Sequence, residues 1–416
     1  MGLALLLVIY LTFVSLGLPD SVLGSSFPAI AGNLGLSSDL AGYIGMVVTA
    51  GTILSAFMSS FILQKLKAKY LVAFSVLLTA SGLLAFSFVA KGYAWAFFLV
   101  AILLGLGAGG IDAALNNFVA LHYKPIHMNW LHCSWGIGAS TGPLILGAFI
   151  DPVTDAGWND GVRVLAYIQF GIALLIFLTL PLWEKVAAKN AGKKTLEDEA
   201  PVQKGDHRKL LREPVFYFAV VGFFAYCSLE TTSGFWAASF FSYGKGLDSA
   251  LSASLASLFY IGIAVGRFLS GFLSLKIKPK GMIRLGEGIL VVGALIALLP
   301  GVPWQVSAAG FILIGLGCAP IYPSIILLTP YRFSKRLSQT AMSMEMAVAY
   351  LGNLVVSPLF GLVAKSLGDA YILLPFVTLF FALLMVVVHE FINGKLKKRD
   401  AALSEEEKEA YGVNGR

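Results

Sequence analysis

The chain has 416 residues, 57% of them hydrophobic and 13% charged, with mean hydropathy +0.81 and a formal net charge of +7. A soluble domain carries roughly 25% charged residues, so too little polar surface is present to cover a set of soluble cores. The apolar residues come in blocks of about 20 or more, the length a helix needs to cross a bilayer, which predicts a polytopic α-helical membrane protein and excludes a soluble multidomain one.

Twelve blocks are read as spans, at residues 3–30, 40–63, 69–90, 93–121, 127–150, 162–183, 214–243, 251–275, 283–299, 303–329, 338–364 and 370–393. The first runs from Leu3 to Pro28, too long for the core of a signal peptide and with no basic region ahead of it, so it is expected to be retained. Within it, "SLGLPDSVLGSSFP" places Asp20 beside Pro19. Proline removes a backbone donor and kinks a helix, so the bend is expected to present Asp20 together with Ser21 and Ser25. Acids on broken helices mark solute and proton sites in transporters; a local cap on the broken helix is the plainer alternative.

A charge at the centre of a membrane helix costs at least about 2.5–3.5 kcal/mol, so each further one needs a reason. In the fourth span, "LGLGAGGIDAALNNFVALHY" sets Gly105, Gly109, Asp112 and Asn116 on one helical face, with Asn117 next in sequence. The glycines permit close helix approach, and Asp112 is expected to line a cavity; an Asp–Asn pair joining two helices is the alternative. The fifth span carries His132, which is a solute contact, a titrating group or a packing residue, and Trp135 on the same face, which is the better solute contact. In the seventh, "YCSLETTSGFWAASFF" holds Glu230 with Tyr226 four residues before it and Trp236 beyond. Carboxylates and amides bind hydroxyls while flat rings cover the apolar faces of a pyranose, so this group suits a sugar. Tyr260, Tyr322 and Asn353 complete the expected solute contacts.

Arg267 is the one intramembrane cation and needs a carboxylate or the headgroup region. Its expected partner is Glu345, the two forming a cytosolic gate, while Glu287, near Arg284 at a membrane boundary, reads as interfacial. Cys133, Cys227 and Cys318 are scattered in apolar blocks, which gives neither a disulfide framework nor a metal spacing. No Walker loop is present, and "GLGAGG" lies inside an apolar span with no strand before it, so a nucleotide site fails on context. No cofactor, metal or catalytic constellation is expected, and the chain is not read as an enzyme. Ser404 and Glu407 stand at capping-box spacing in the tail.

Of the 30 Lys and Arg residues, 25 fall after even-numbered spans or in the C-terminal tail, four (Lys91, Arg163, Lys245 and Lys365) lie on the other side, and Arg267 is intramembrane. Basic residues stay cytoplasmic, which predicts both termini in the cytosol and a multi-pass protein of the plasma or inner membrane. The basic charge is topological and implies no nucleic-acid partner. Residues 185–213 are the one long polar stretch, so the expected division is an N-terminal six-helix bundle (1–184), a cytosolic linker (185–213), a C-terminal bundle (214–394) and a cytosolic tail (395–416). Internal similarity supports a duplication: "GLGAGGID" (105–112) aligns with "GLGCAPIY" (315–322), and "TGPLILG" (141–147) with "VSPLFG" (356–361).

Two six-span halves in parallel repeat are the layout of major facilitator transporters. Moreover, "GLGAGGIDAALNNFVA" resembles the fourth-span signature of the fucose–galactose–glucose/proton symporter family, a branch of that superfamily: Asp112 takes the acidic position, Asn116 the asparagine, Asn117 replaces a proline and Phe118 matches. Asp20 matches the first-span aspartate, and "SPLFGLVAKSLG" (357–368) is similar to the family's eleventh-span ending. His132 and Trp135 replace the family's fifth-span Gln and Asn, and the loop "SSFILQKLKAKY" keeps the superfamily's basic residues but lacks its acid. The resemblance implies twelve helices in two six-helix bundles around a central cavity. The expected function is proton-coupled import of a sugar or similar small polar solute by alternating access, with Asp20, Asp112 and Glu230 as coupling acids. Its partners would be the solute, protons and the lipid bilayer, and the protein would act as a monomer. A proton-driven exporter of amphiphilic compounds and a Na⁺-coupled sugar transporter are the alternatives.

Overall fold

The computed structural model describes residues 2–123, 126–190 and 207–404. Among these, the regular structure is entirely helical. The first span is α1 (Gly2–Asp20) and α2 (Val22–Leu34), interrupted at Ser21. Pro19 has no N–H for the carbonyl of Ser15, and Gln169 from the sixth span donates to that oxygen instead at 2.7 Å. The half continues with α3 (Leu40–Ile62), α4 (Ala68–Phe86), α5 (Ala96–His122), α6 (Ile126–Phe149) and α7 (Trp158–Asn190), the last running past the expected edge of the bundle at residue 184.

Most of the expected linker, residues 191–206, lies outside the described residues, as do Lys124 and the tail from residue 405, including Glu407 of the expected capping box. After a short turn, α8 (His207–Leu210), the seventh span is α9 (Pro214–Phe235), interrupted at Trp236 and followed by α10 (Ala237–Ser239) and a π turn (Phe240–Gly244). Then come α11 (Ser249–Leu273), α12 (Pro279–Leu298), α13 (Trp304–Cys318), α14 (Ile321–Ser366), a 3₁₀ turn (Tyr371–Leu373) and α15 (Leu374–Ala402).

The sequence places a loop between the tenth and eleventh spans, whereas α14 runs through both with helical hydrogen bonding. It nevertheless reverses direction. Sixteen residues of straight helix span about 24 Å, yet Thr329 Oγ1 donates to Glu345 Oε2 at 3.2 Å. Arg399 of α15 caps the turning point, donating to the carbonyls of Arg332 (2.9 Å) and Tyr331 (3.1 Å). Counting the two limbs of α14 separately gives twelve membrane-crossing segments. Eleven helical stretches are long and apolar enough to span; α6, with 24 residues, is the twelfth and the less apolar.

The two halves repeat their packing. In the first, α1 lies on α6, and α5 lies between α3 and α4; in the second, α13 lies between α11 and α12, and α9 packs on α14. The duplicated glycine motif explains one shared crossing. A Cβ at Gly105 would stand 2.2 Å from the Val48 carbonyl of α3, and one at Gly315 2.0 Å from the Phe259 carbonyl of α11. Only glycine lets these backbones come so close. The halves meet where α6 packs on α11 and α14 on α3.

Candidate central solute site

The break in the first span sets the site. From Ser15 to Ala31 every residue is buried except Asp20, which is accessible. An accessible side chain in the middle of a buried run faces an internal space rather than lipid. Its carboxylate accepts a 2.7 Å hydrogen bond from Trp135 Nε1 of α6. A face of that indole carries the guanidinium of Arg267 of α11, with Cζ 5.0 Å from the ring centroid. Tyr260 meets the same ring edge-on at 6.1 Å. Arg267 in turn donates to the His132 carbonyl at 3.2 Å and lies 3.5 Å from Glu230 Oε1 of α9. Asp20, Trp135, Arg267 and Glu230 therefore form one chain of contacts that starts in the first half and ends in the second.

Asp112 is partly buried, and Asn116 Nδ2 donates to its Oδ1 at 2.8 Å, the i, i+4 pair the helical face implies. Asp112 stands within electrostatic reach of Asp20, and also of Tyr322 and Tyr350 on α14. Tyr260 is within reach of both Asp20 and Glu230. Among the described residues, Asn116 Oδ1, Asn353 Oδ1 and, apart from its ion pair with Arg267, Glu230 Oε1 accept no hydrogen bond. Buried acceptors without donors are costly, and a polyhydroxylated molecule brings donors to them. Asn353 follows Tyr350 by three residues on the same helical face.

Comparison with known proteins places this architecture. The family model of the Major Facilitator Superfamily matches residues 9–352 and 246–410. The chain belongs to the major facilitator superfamily. It is 27% identical over 320 residues to the glucose/mannose transporter GlcP of Bacillus subtilis, covering 76% of each chain. It is 26% identical over 325 residues to a putative glucose/galactose transporter of Helicobacter pylori, covering 74% of this chain and 75% of that one. Among superfamily structures, the E. coli xylose transporter XylE, bound to 6-bromo-6-deoxy-D-glucose, superposes with TM-score 0.70 at 14% identity, covering 94% and 95% of the two chains. A bacterial homolog of the human lysosomal transporter spinster does so with the same TM-score, 0.70, and 14% identity.

Several expected site residues lie elsewhere. Arg267 does not pair with Glu345. It meets Glu230, whereas Glu345 is fully buried, accepts from Thr329 and lies in the field of Arg332. Glu287 is not interfacial: it is 2% exposed and bonded to His389 Nδ1 at 2.6 Å, while Arg284 pairs with Glu390. Trp236 is fully buried; its Nε1 donates to the Ser357 carbonyl at 2.9 Å and its ring stacks on Tyr371, so it pins the second helix break and faces no open space. Tyr226 does stand beside Glu230, as expected, but it is fully buried and its hydroxyl also donates to the Cys318 carbonyl at 3.2 Å. Asn117, one position round the helix from Asn116, lines a separate pocket with Trp183 and Glu184. His132 packs edge-on to Phe13 at 5.4 Å. The lysines of the loop after the second span meet an acid of α7, where Glu184 binds Lys67 at 2.9 Å and Lys69 at 2.8 Å.

Tyr350, Ser15 and Gln169 went unnoticed in the sequence. A tyrosine and a glutamine in apolar spans are the kind of signal that could have found two of them. The carbonyl of Ser15 carries no sequence signal beyond Pro19 four residues on.

Proposed function

We propose that the protein is a proton-coupled importer of a monosaccharide in the plasma or inner membrane, with both termini and the 185–213 linker in the cytosol. The observation that carries the reading is the accessible Asp20 carboxylate joined through Trp135 to the Arg267–Glu230 pair of the other half. The relatives named as glucose/mannose and glucose/galactose transporters supply the solute class.

The geometry supports the following cycle. With Asp20 ionised, the Trp135 N–H is committed to it by a charge-assisted bond, among the stronger kinds. A proton on Asp20 weakens that bond and releases the indole N–H to a sugar hydroxyl. The orphan acceptors of Asn116, Glu230 and Asn353 then take hydroxyl donors, and the rings of Trp135 and Tyr260 border the apolar face of the pyranose. Changing the surroundings of a carboxyl between wet and dry alters its hold on the proton, so reorientation of the two halves releases proton and sugar together. Coupling requires that protonation and solute change the relative energies of the two facing states, and both act here on groups that bridge the halves.

The test is sugar-induced pH change in proteoliposomes, over a panel of hexoses and pentoses, with and without Na⁺. External alkalinisation on adding one hexose, unchanged by removing Na⁺, is expected. A response that needs Na⁺ replaces the proton in the reading, and proton release driven by amphiphilic compounds with no sugar response overturns it.

A further inference from the structure

Two loops outside the central site share an unusual backbone. Among the described residues, only Asp155 (φ 56°) and Asp369 (φ 62°) are non-glycine residues in the left-handed region. Aspartate visits this region more readily than most residues that carry a side chain. Asp155 lies between α6 and α7, and Asp369 between α14 and the turn before α15. The duplication relates them: Gly147 and Gly361, Asp155 and Asp369, and Ala156 and Ala370 all stand 214 positions apart.

Their partners are related in the same way. Ser249 Oγ donates to Asp155 Oδ1, and Ser38 Oγ donates to Asp369 Oδ1. Ser38 and Ser249 are 211 positions apart, flanked by Leu36 with Leu40 and by Leu247 with Leu251 at the same offset. Both serines are buried. Each bond therefore joins one half of the molecule to the other, and the two are reciprocal: the first half's loop holds the second half's serine, and the second half's loop holds the first half's. Ser249 opens α11, and Ser38 precedes α3 by two residues. Each carboxylate thus sits at the positive N-terminal end of a helix in the other half, where a negative charge is favoured.

The two copies differ in what else touches them. Asp155 sits directly over α2, where a Cβ at Gly32 would lie 2.0 Å from Asp155 Oδ2, so a side chain there would displace the carboxylate. Asp369 is paired with Lys365 at 3.0 Å, whereas the residue equivalent to Lys365 in the first half is Asp151.

We propose that Asp155–Ser249 and Asp369–Ser38 are a two-fold-related pair of latches that hold the non-cytosolic mouth of the transporter shut. Both must open for the mouth to admit solute, and because they straddle the axis relating the halves, opening is concerted. The sidedness in this statement rests on the orientation proposed above; the closure itself does not.

The test places spin labels at Tyr93→Cys and Leu299→Cys, exposed residues beyond the ends of α4 and α12, in a chain with Cys133, Cys227 and Cys318 replaced by alanine. Electron–electron distance distributions are then measured in nanodiscs. Ser249→Ala and Ser38→Ala, which remove only a hydroxyl, are each expected to raise the ratio of long-distance to short-distance population about tenfold, as loss of a charge-assisted bond implies. The two together multiply. Ser249→Thr and Ser38→Thr keep the hydroxyl and the wild-type distribution. Identical distributions for the alanine and threonine variants overturn the proposal. Sugar-induced pH change measured on the same preparations separates the two readings: a shifted distribution without any sugar response leaves the latches standing and removes the sugar assignment.

Discussion

Removing the carboxylate of Glu230 while keeping its shape, as in Glu230→Gln, strands the Arg267 guanidinium in the middle of the molecule. What remains to it is the His132 carbonyl at 3.2 Å and the face of Trp135. Two unit charges 3.5 Å apart attract by about 5 kcal/mol at an effective dielectric constant of 20. The side chains are 17% and 20% accessible, and the separation exceeds that of a direct charge-assisted hydrogen bond, so about 2 kcal/mol is the expected coupling. The assay is a double-mutant cycle of Glu230→Gln and Arg267→Gln, read as unfolding free energy in mixed micelles. Each single variant is expected to lose about 2–3 kcal/mol, and the double variant to recover about 2 kcal/mol of the sum, because neither charge is left alone. A cycle that closes with no coupling refutes the reasoning, since it means the ion pair does not exist in the folded protein.

Three further outcomes concern other acids of the spans. Asp20→Asn is expected to abolish sugar-driven proton movement and uphill uptake while leaving counterflow exchange; Asp112→Asn is expected to do so only if Asp112 also carries a proton, and retained concentrative uptake in that variant removes it from coupling. His389→Leu leaves the buried Glu287 carboxylate without its 2.6 Å partner and is expected to cost about 3 kcal/mol in unfolding free energy, much of it restored by Glu287→Leu in the same chain.

The spans, the duplication and the break that carries Asp20 were legible because they depend on local facts: block length, proline beside an acid, polar groups where insertion is costly. Pairings were not. Arg267 has carboxylates before and after it in sequence, and which one it meets depends on how α11 is rotated against α9 and α14, which one helix's sequence does not encode. Trp135 and Trp236 look alike as indoles in apolar spans, yet one borders an accessible acid and the other is a sealed peg against Ser357 and Tyr371. Glu287 and Arg332 sit near span ends, where water is the default partner. Arg332 is instead 4% exposed, in the reversal of α14, because Arg399 and the folded-back second limb of that helix cover the corner. The connection itself reads as a loop from its charges, but helical hydrogen bonding persists through it.

The bend at Asp20 is propped from outside its own helix: the amide of Gln169 on α7 answers the Ser15 oxygen that Pro19 leaves bare. Flexing this kink by itself would break that bond and leave the Ser15 oxygen bare again. Asp20 is therefore expected to travel with α7 as a feature of its half, its surroundings changing as the opposite half moves past it.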